Sequence, residues 1–422
     1  MNKNWKKVAV LGAAKTGISC ANYFSKKGAD VLLSEAALKK DIQIKNLSDK
    51  VELEFGGHSQ KILSCDLIIP SPGVSGNIPI LLSAKKRDIE ILSDIEIFFL
   101  LSKYKMIIAI TGTNGKTTTS SMVGGVLSDA GYKNIVCGNI GAPVCDFIEK
   151  SDAQTYIVME VSSYQLEYTE NFAPHIAAVL NITPDHLERH KTMENYADIK
   201  SKISANQKKN DFCILNKDDE LCLKLSRKCS SKIRFFSAKE NRRELNLKIP
   251  GVHNIENALA SIEILTCAGM SEKTILKSLS DFKGVEHRLE FVRVLGGVKY
   301  INDSKSTNVS STFVAIKSFS QPIILILGGR DKGSPYTPLI PLIKNNVKKI
   351  IAIGEAKKKI FNQLKDATDI ILLDNVEAAV KKAVKVAVVS DVVMLSPACA
   401  SFDQFKNYEE RGKFFKKIVN NL

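Results

Sequence analysis

The sequence predicts an α/β protein of three successive domains, each built on a mostly parallel sheet. Short apolar, β-branched segments alternate with amphipathic segments along the chain, which is the order expected of strand–helix units. Glycine-containing turns follow several of the apolar segments. A chain of 422 residues is also too long for one hydrophobic core. We expect the domains to span residues 1–92, 93–284 and 285–422.

The composition is that of an ordinary globular protein, with 44% hydrophobic and 25% charged residues. No apolar run approaches the ~20 residues that a membrane-spanning helix needs, so we expect no membrane partner. The apolar patch behind the first lysines is broken by Gly12 and ends at Lys15, which a strand entering a turn explains better than a signal peptide. Nine scattered cysteines without C-x-x-C pairs indicate reduced thiols and a cytoplasmic protein.

The formal charge of +15 raises nucleic acid as a partner. The lysines are spread over the whole chain, however, and no basic stripe with interleaved aromatic residues occurs. A solvated basic surface explains the charge better. We therefore expect no nucleic-acid partner and a surface that favours anionic small-molecule substrates. A monomer is also expected, although the charge pattern does not bear on it.

The first domain begins with a strand, a glycine turn and a helix, in KKVAVLGAAKTG and CANYFSKKG. DVLLSEA and DLIIPSPGVS supply further strands, so this domain resembles half of a Rossmann fold. Its fingerprint reads Gly12, Ala14, Gly17 rather than three glycines. Ala14 argues against a nicotinamide dinucleotide and leaves room for a mononucleotide-like diphosphate. A turn that binds nothing is the alternative.

The central domain begins with MIIAITGTNGKTTT, a second strand, turn and helix. Only two residues separate Gly112 from Gly115, so the strict phosphate-loop pattern fails. Backbone N–H groups in a tight turn at a helix N-terminus nevertheless point at an anion. Lys116 is placed to reach the β- and γ-phosphates of a nucleotide, and the Thr117 hydroxyl to hold Mg²⁺. The alternative is a plain turn with a solvated lysine.

Polar residues follow the next strands of this domain. Glu160 closes TYIVME, and NITPDHLERH follows IAAVL with His186 and His190. Because ligands of open α/β sheets lie beyond the carboxyl ends of the strands, we expect these residues near the phosphates. A capping glutamate and surface histidines are the alternatives. Composition alone would leave Lys200, in the predicted helix ENYADIKSKISANQ, as a solvated lysine.

The third domain repeats the alternation of strands, polar loops and helices that the first two domains show. VKYINDSKSTN, PIILILGGRDKG, KKIIAIGEA and DVVMLSPACASFDQF read as strands that end in polar loops, and NVEAAVKKAVKVA reads as a helix. A second Rossmann-like, doubly wound sheet is therefore expected.

Taken together, the motifs resemble those of the Mur ligases, the ATP-dependent ligases that build the peptide of the cell-wall precursor. GTNGKTT, MEVSSYQLE, NITPDHLERH, the lysine of YADIKSKI, HNIENALA, EHR and NDSKSTN occur in this order and span essentially the whole chain. GGRDKG and LSPACASFDQFKNYEERG are most similar to the members that join D-glutamate to UDP-N-acetylmuramoyl-L-alanine.

The resemblance implies an acyl-phosphate mechanism with ATP and two Mg²⁺ ions. Thr117 and Glu160 are then expected on one ion and His186 and Lys200 on the other. In the family the lysine that matches Lys200 is carbamylated. An ammonium ~4 Å from a divalent ion would suffer roughly 8 kcal/mol of repulsion at an effective dielectric constant of ~20, and a carbamate reverses that sign. The proton-accepting base stays unassigned, with His287 as a weak candidate.

The resemblance also implies three sets of contact residues. The nucleotide set is Gly112, Thr113, Asn114, Gly115, Lys116, Thr117, Thr118, Asn257, Arg288 and Asp303, so that ATP is expected to meet two domains. The UDP-sugar set is Lys15, Thr16, Ser34, Glu35, Ser71 and Asn139; the family often carries an aspartate where this chain reads Ser34-Glu35. The D-glutamate set is Lys305, Thr307, Lys332, Ser401 and Tyr408.

Other functions remain open at this point. A sibling Mur ligase or a folate polyglutamylating ligase would share these motifs but use another acceptor. A basic phosphate-loop ATPase acting on nucleic acid would use only the central turn. A nicotinamide-dependent enzyme would use the first turn, against which Ala14 argues.

Overall fold

The structure, a computed structural model, describes residues 3, 5–41, 44–139, 141–249 and 251–422. The predicted alternation of strands and helices is present, in three sheets that follow one another along the chain. The α/β class with three sheet-centred domains is therefore confirmed. The boundaries 92/93 and 284/285 stay predictions.

The N-terminal sheet has five parallel strands in the order β3-β2-β1-β4-β5. Its strands and helices are β1 (Lys7–Leu11), α1 (Lys15–Lys26), β2 (Asp30–Glu35), β3 (Glu52–Phe55), β4 (Leu67–Pro70), α2 (Pro79–Lys86) and β5 (Glu90–Ile91), and α3 (Asp94–Leu101) leads onward. The central strands are buried almost throughout, as the continuous apolar segments of the sequence require.

The central sheet has six parallel strands in the order β11-β10-β9-β6-β8-β7. Its elements are β6 (Met106–Thr111), α4 (Lys116–Asp129), β7 (Asn134–Gly138), β8 (Tyr156–Glu160), α5 (Ser163–Leu166), β9 (Ile176–Val179), α6 (Leu187–His190), α7 (Met193–Ser201), β10 (Phe212–Asn216), α8 (Glu220–Ser226), β11 (Lys232–Phe236), α9 (Val252–Cys267) and α10 (Glu272–Asp281). The helix predicted over ENYADIKSKISANQ, residues 194–207, ends at Ser201 and continues as one 3₁₀ turn, Lys202–Ser204.

The C-terminal sheet has six strands in the order β12-β13-β17-β14-β15-β16. Its elements are β12 (Glu290–Leu295), β13 (Val298–Asn302), α11 (Val309–Lys317), β14 (Ile323–Gly328), α12 (Ile340–Asn346), β15 (Val347–Ile353), α13 (Lys357–Leu364), β16 (Ile370–Leu372), α14 (Val376–Val386), β17 (Val392–Leu395) and α15 (Tyr408–Asn420). The edge strand β12 pairs antiparallel with β13 through the Gly296-Gly297 turn, and the other pairs are parallel.

Contacts divide the chain into two compact units. The first unit comprises residues 1–244 and 256–279, and the second comprises 245–255 and 280–422. The first two sheets share the first unit because one apolar cluster runs through both, including Phe24 of α1, Phe98 of α3 and Cys145 of the central domain. Among the described helices, none has the length and apolarity to cross a membrane.

Candidate nucleotide and metal site

The turn between β6 and α4 has the form of an anion cradle. The first turn of a helix leaves its N–H groups without carbonyl partners in that helix, and α4 begins at Lys116 directly behind the turn. Two hydrogen bonds to Asn181, which follows β9, fix the turn. The Thr113 N–H donates to the Asn181 carbonyl at 2.9 Å, and the Asn114 N–H donates to Asn181 Oδ1 at 2.8 Å. The Lys116 ammonium donates to the carbonyls of Gly112 at 2.8 Å and Thr113 at 3.0 Å, so its charge lies over the turn.

Gly115 is required by its backbone and its neighbour. Its φ of 86° is left-handed, and a Cβ there would lie 2.3 Å from Asn257 Oδ1. Asn257 comes from α9, and its Oδ1 also accepts a hydrogen bond from Thr119 at 3.3 Å. The structure thus places the predicted nucleotide residue Asn257 directly against the turn, although it is 142 residues further along the chain by number.

Two of the four predicted metal ligands meet at the mouth of this turn. The Thr117 hydroxyl donates to Glu160 Oε2 at 2.9 Å, and Asn139 Nδ2 donates to Glu160 Oε1 at 2.8 Å. Glu160 ends β8 beside β6 and is 2% exposed. Asn139, predicted as a UDP-sugar contact, therefore holds this carboxylate in place; its sugar contact stays a prediction.

Lys200 is buried rather than solvated, against the expectation from composition alone. It is 1% exposed, its Nζ is 3.4 Å from Thr111 Oγ1, and it lies 4.6 Å from the centre of the Tyr196 ring. Burial, and then the charge of Lys116, lower the pKa of Lys200 well below its usual range. A buried lysine near a second cation is an unusual arrangement that points to function rather than to surface charge.

His186 is held at a strained position. It precedes α6 with a left-handed φ of 55°, and its Nδ1 is 2.8 Å from the hydroxyl of Tyr164. His190, by contrast, is buried, with Nε2 3.0 Å from Ser163 Oγ and its ring stacked 5.1 Å from that of Tyr196. The geometry therefore selects His186 over His190 as the available imidazole.

The donor set fits Mg²⁺ ions that arrive with phosphate. Within the described ranges, no group of three or more His, Cys, Asp or Glu side chains could hold a metal ion alone. The hydroxyl and carboxylate oxygens of Thr117 and Glu160 are the hard ligands that Mg²⁺ prefers, and Mg²⁺ commonly takes one or two protein ligands plus phosphate oxygens and water. Lys200 fits a cation only if its amine is neutral or modified.

The N-terminal glycine turn has a different set of partners. Ser71 Oγ donates to the Gly12 carbonyl at 3.0 Å, and the Ala13 N–H donates to Glu35 Oε2 at 2.7 Å. Ser34 is fully buried, and its hydroxyl donates to Glu54 Oε1 at 2.6 Å. Lys15 and Thr16 are the first residues of α1. The structure thus gathers five of the predicted UDP-sugar residues around one turn, with Ser34 in a supporting position.

The second unit contains the remaining predicted nucleotide residues. Asp303 is fully buried, and its carboxylate accepts hydrogen bonds from Ser396 Oγ at 2.7 Å and from the Leu289 N–H at 3.2 Å. Burial raises the pKa of Asp303, and the positive charge of Arg288 opposes that shift. Arg288 itself donates to Ser306 Oγ at 3.2 Å. These two residues are close enough to act together electrostatically.

The predicted D-glutamate residues form two pairs in this unit. The Lys305 ammonium lies 5.7 Å from the centre of the Tyr408 ring, and Lys332 Nζ is 3.5 Å from Thr307 Oγ1. Ser401 is buried at 2% exposure, next to the β-bridge between Arg330 and Ala400. His287 is 2% exposed, and its Nδ1 is 2.9 Å from Asn302 Nδ2. Its Nε2 is buried without a hydrogen-bond partner among the described residues, and a role for His287 as the base stays a prediction.

Sequence reasoning missed several residues that support the site. Tyr164 contacts His186, Asn181 anchors the turn, and Arg411 of α15 donates to Ser304 Oγ at 3.0 Å. Arg411 is 1% exposed. Asn181, Tyr164 and Arg411 all lie inside motifs that the sequence analysis quoted, so their motif position was the available signal.

Comparison with protein families gives three consecutive matches. Residues 6–93 match the Mur ligase MurD-like N-terminal domain, residues 110–244 match the Mur ligase middle domain, and residues 287–399 match the Mur ligase glutamate ligase domain. The first and third matches contain the whole N-terminal and C-terminal sheets, and the second begins within β6 and contains the other strands of the central sheet.

Relatives agree over the full chain. Proteins named UDP-N-acetylmuramoylalanine–D-glutamate ligase from Koribacter versatilis and Clostridioides difficile are 42% and 41% identical, covering 100% of this chain and 99% and 100% of theirs. The solved UDP-N-acetylmuramate-alanine ligase of Thermotoga maritima has the same fold, with a TM-score of 0.62 at 18% identity over 99% of this chain and 100% of its own. The chain belongs to the Mur ligase family.

Proposed function

We propose that this protein is an ATP-dependent ligase that joins D-glutamate to UDP-N-acetylmuramoyl-L-alanine during synthesis of the peptidoglycan precursor. The observation that carries the proposal is the Lys116 turn with the Thr117–Glu160 pair at its mouth. It occurs in a chain that is 42% identical over its full length to a relative of that name.

The site's task is to bring two anions together. The carboxylate of the UDP-sugar peptide attacks the γ-phosphorus of ATP, ADP leaves, and an acyl phosphate forms. The neutral amine of D-glutamate then attacks the acyl carbon, and phosphate leaves from the tetrahedral intermediate. The amides of the turn and the Lys116 ammonium would receive the triphosphate. The bonds from Thr113 and Asn114 to Asn181 fix the turn, which supports a preorganised site.

Two Mg²⁺ ions, when bound, neutralise the charge that triphosphate and carboxylate share. Thr117 and Glu160 would hold one ion, and His186 and Lys200 the other. Lys200 suits this role as a carbamate, formed when its neutral amine attacks CO₂ and loses a proton. Its burial beside Thr111 and the lowered pKa of its amine support that modification.

The substrates follow the three predicted sets. Lys15, Thr16, Glu35 and Ser71 surround the N-terminal turn and would bind the UDP moiety, with Ser34 in support. Asn139, which donates to Glu160, would contact the UDP-sugar from the central domain. Asn257, Arg288 and Asp303 would contact the nucleotide. Lys305, Thr307, Lys332, Ser401 and Tyr408 offer the cationic and hydroxyl groups that a dicarboxylic amino acid needs. We further propose a cytoplasmic monomer with the domain boundaries given above.

An acceptor screen tests this function. Purified protein is given ATP, Mg²⁺ and UDP-N-acetylmuramoyl-L-alanine with one amino acid at a time, and phosphate release is measured. We expect release with D-glutamate and none with L-glutamate, L-lysine or diaminopimelate. Ligation of L-lysine or diaminopimelate without D-glutamate would refute the assignment, and DNA- or RNA-stimulated ATPase activity alone would refute the ligase.

A further inference from the structure

Tyr164 is held rigidly beside the predicted metal ligand His186. Its ring centre is 4.5 Å from the guanidinium carbon of Arg189 and 5.6 Å from the ring centre of His190, which stacks on it at 27°. Its hydroxyl is 2.8 Å from His186 Nδ1. A side chain with two planar neighbours has little rotational freedom, so its hydroxyl marks a fixed point for the imidazole.

This contact decides which nitrogen of His186 is available. Metal-binding histidines usually donate their other ring N–H to a fixed acceptor, which sets the tautomer and the ring orientation. Two carboxylates flank the ring at longer range, Glu188 Oε1 at 3.6 Å from Nδ1 and Asp185 Oδ2 at 3.5 Å from Nε2, so they do not distinguish the two nitrogens. The Tyr164 oxygen, 2.8 Å from Nδ1, lies within hydrogen-bond distance and can accept from Nδ1–H. Nε2 then keeps its lone pair for an ion. Tyr164 thus has the geometry of a positioning residue.

Arg189 connects this tyrosine to the N-terminal domain. Its Nη1 donates to the Val74 carbonyl at 2.7 Å and approaches the Pro72 carbonyl at 3.4 Å, while Nε donates to Glu167 Oε1 at 2.8 Å. The loop that carries these carbonyls begins at Ser71, whose hydroxyl holds the Gly12 turn. One guanidinium therefore contacts both the UDP-sugar loop and the face of Tyr164.

We propose that Arg189 and Tyr164 form a positioning pair that couples the loop at residues 71–74 to His186. UDP-sugar binding orders the loop, the loop carbonyls fix Arg189, and the stacked guanidinium fixes Tyr164 and so the imidazole. Because coupling between two binding sites is reciprocal, the divalent ion and the UDP-sugar each tighten the binding of the other. The inference rests on the proposed function, since it takes His186 as a metal ligand and the first turn as the UDP site.

The test measures binding and does not depend on turnover. Mn²⁺ is titrated into the full chain saturated with a non-hydrolysable ATP analogue, with and without UDP-N-acetylmuramoyl-L-alanine, and free Mn²⁺ is followed by electron paramagnetic resonance. The analogue and the UDP-sugar without protein provide the blank. UDP-sugar binding without metal is measured by calorimetry. Wild-type protein is expected to bind Mn²⁺ several-fold more tightly when the UDP-sugar is present.

Two variants and a matched control separate positioning from packing. Tyr164→Phe keeps the ring but removes the hydroxyl, so Mn²⁺ affinity falls by about 10-fold while metal-free UDP-sugar affinity stays unchanged. Arg189→Lys keeps the charge but loses the planar contacts, so UDP-sugar affinity falls and its enhancement of Mn²⁺ binding disappears. Tyr104→Phe is the control, because Tyr104 also packs against a histidine, His175, 6.0 Å away, at the opposite ends of the central strands.

Each outcome has a clear meaning. Unchanged Mn²⁺ affinity in Tyr164→Phe overturns the inference, as does a lowered melting temperature with normal Mn²⁺ affinity, which would indicate packing alone. Loss of affinity in Tyr104→Phe as well would also overturn it, since the effect would not be specific. If wild-type protein binds no UDP-sugar at all, the proposed function itself fails.

Discussion

The protein contains two strand–turn–helix units that look alike in sequence and differ in their partners. GAAKTG and GTNGKTT both lead from a buried strand into a helix that begins with Lys-Thr. In the first turn the Ala13 N–H is bonded to the carboxylate of Glu35; in the second the Asn114 N–H is bonded to the neutral amide oxygen of Asn181.

The lysines that begin the two helices also differ in their surroundings. Lys15 is exposed at the start of α1, whereas the Lys116 ammonium is held over its turn by the carbonyls of Gly112 and Thr113. At the second turn the hydroxyl of Thr117, the second residue of the helix, pairs with the carboxylate of Glu160, and this pair is placed to receive a cation. The comparison teaches that a glycine turn before a helix is enough to predict an anion site. The charges of the side chains around the turn then determine how much negative charge a bound ligand can carry.

Removing Lys116 should have the largest effect. Lys116→Ala takes away the ammonium over the triphosphate turn, and we expect kcat to fall by about 10³-fold, as for other groups that stabilise developing charge. UDP-sugar affinity, measured by calorimetry, should stay within about twofold. Lys15→Ala is the matched control: it should weaken UDP-sugar binding and leave the affinity for an ATP analogue unchanged. A Lys116→Ala variant that keeps a tenth of wild-type kcat would contradict the comparison.

Lys200→Ala should have the second-largest effect. The proposed metal ions at the second turn require the carbamate of Lys200, whereas the first turn requires no such group. Without additions the variant should lose nearly all of its kcat. The effect ranks below that of Lys116→Ala because part of kcat should return when a small carboxylate such as acetate or formate is added. Chloride at equal ionic strength is the control. Full activity without any addition would show that Lys200 plays no part in metal binding.

Glu35→Ala tests the first turn, with a smaller effect. The Ala13 and Ala37 N–H groups lose their acceptor, so the turn loses its shape. A charge-assisted hydrogen bond contributes about 1.5–3 kcal/mol, and partial compensation by water should leave KM for the UDP-sugar raised by about fivefold. Steady-state kinetics should show kcat unchanged. A fall in kcat with an unchanged KM would mean that Glu35 acts at the chemical step.

The smallest effects concern the glycines themselves. A Cβ on Gly17 would lie 1.9 Å from the Gly12 carbonyl oxygen, so Gly17→Ala must move backbone and should cost about 1–3 kcal/mol. At Gly115 the contact is the Asn257 side chain, which can rotate, and the left-handed φ adds about 1–2 kcal/mol. Thermal unfolding should show both variants destabilised, but only Gly115→Ala should lose affinity for the ATP analogue. Equal losses at both positions would remove the distinction between the turns.

The features that depend on the local order of residues could be predicted from the sequence. The strand–turn–helix around Lys116 and the position of Glu160 at the end of β8 follow from apolar periodicity and from the rule for open sheets. Burial of Lys200 does not follow from its residue type, since a lysine in a helix is usually solvated. Tyr196 lies one turn earlier in the same helix, and Thr111 of β6 contacts the ammonium from a distant segment.

Contacts between segments that are distant in sequence could not be predicted from local sequence patterns. The hydrogen bond from Arg189 to the Val74 carbonyl joins residues that are 115 positions apart. Neither sequence segment contains a pattern that predicts this contact. The antiparallel edge strand β12 and the role of Asn139 in holding Glu160 are of the same kind. Such pairings depend on tertiary register, which periodicity does not encode.

The most direct measurement is a crystal structure of the protein with a non-hydrolysable ATP analogue and Mg²⁺. The account predicts that the triphosphate lies in the turn from Gly112 to Thr118, with the Lys116 ammonium on its outer phosphates. A triphosphate bound at the turn from Gly12 to Gly17, or away from both turns, would contradict it.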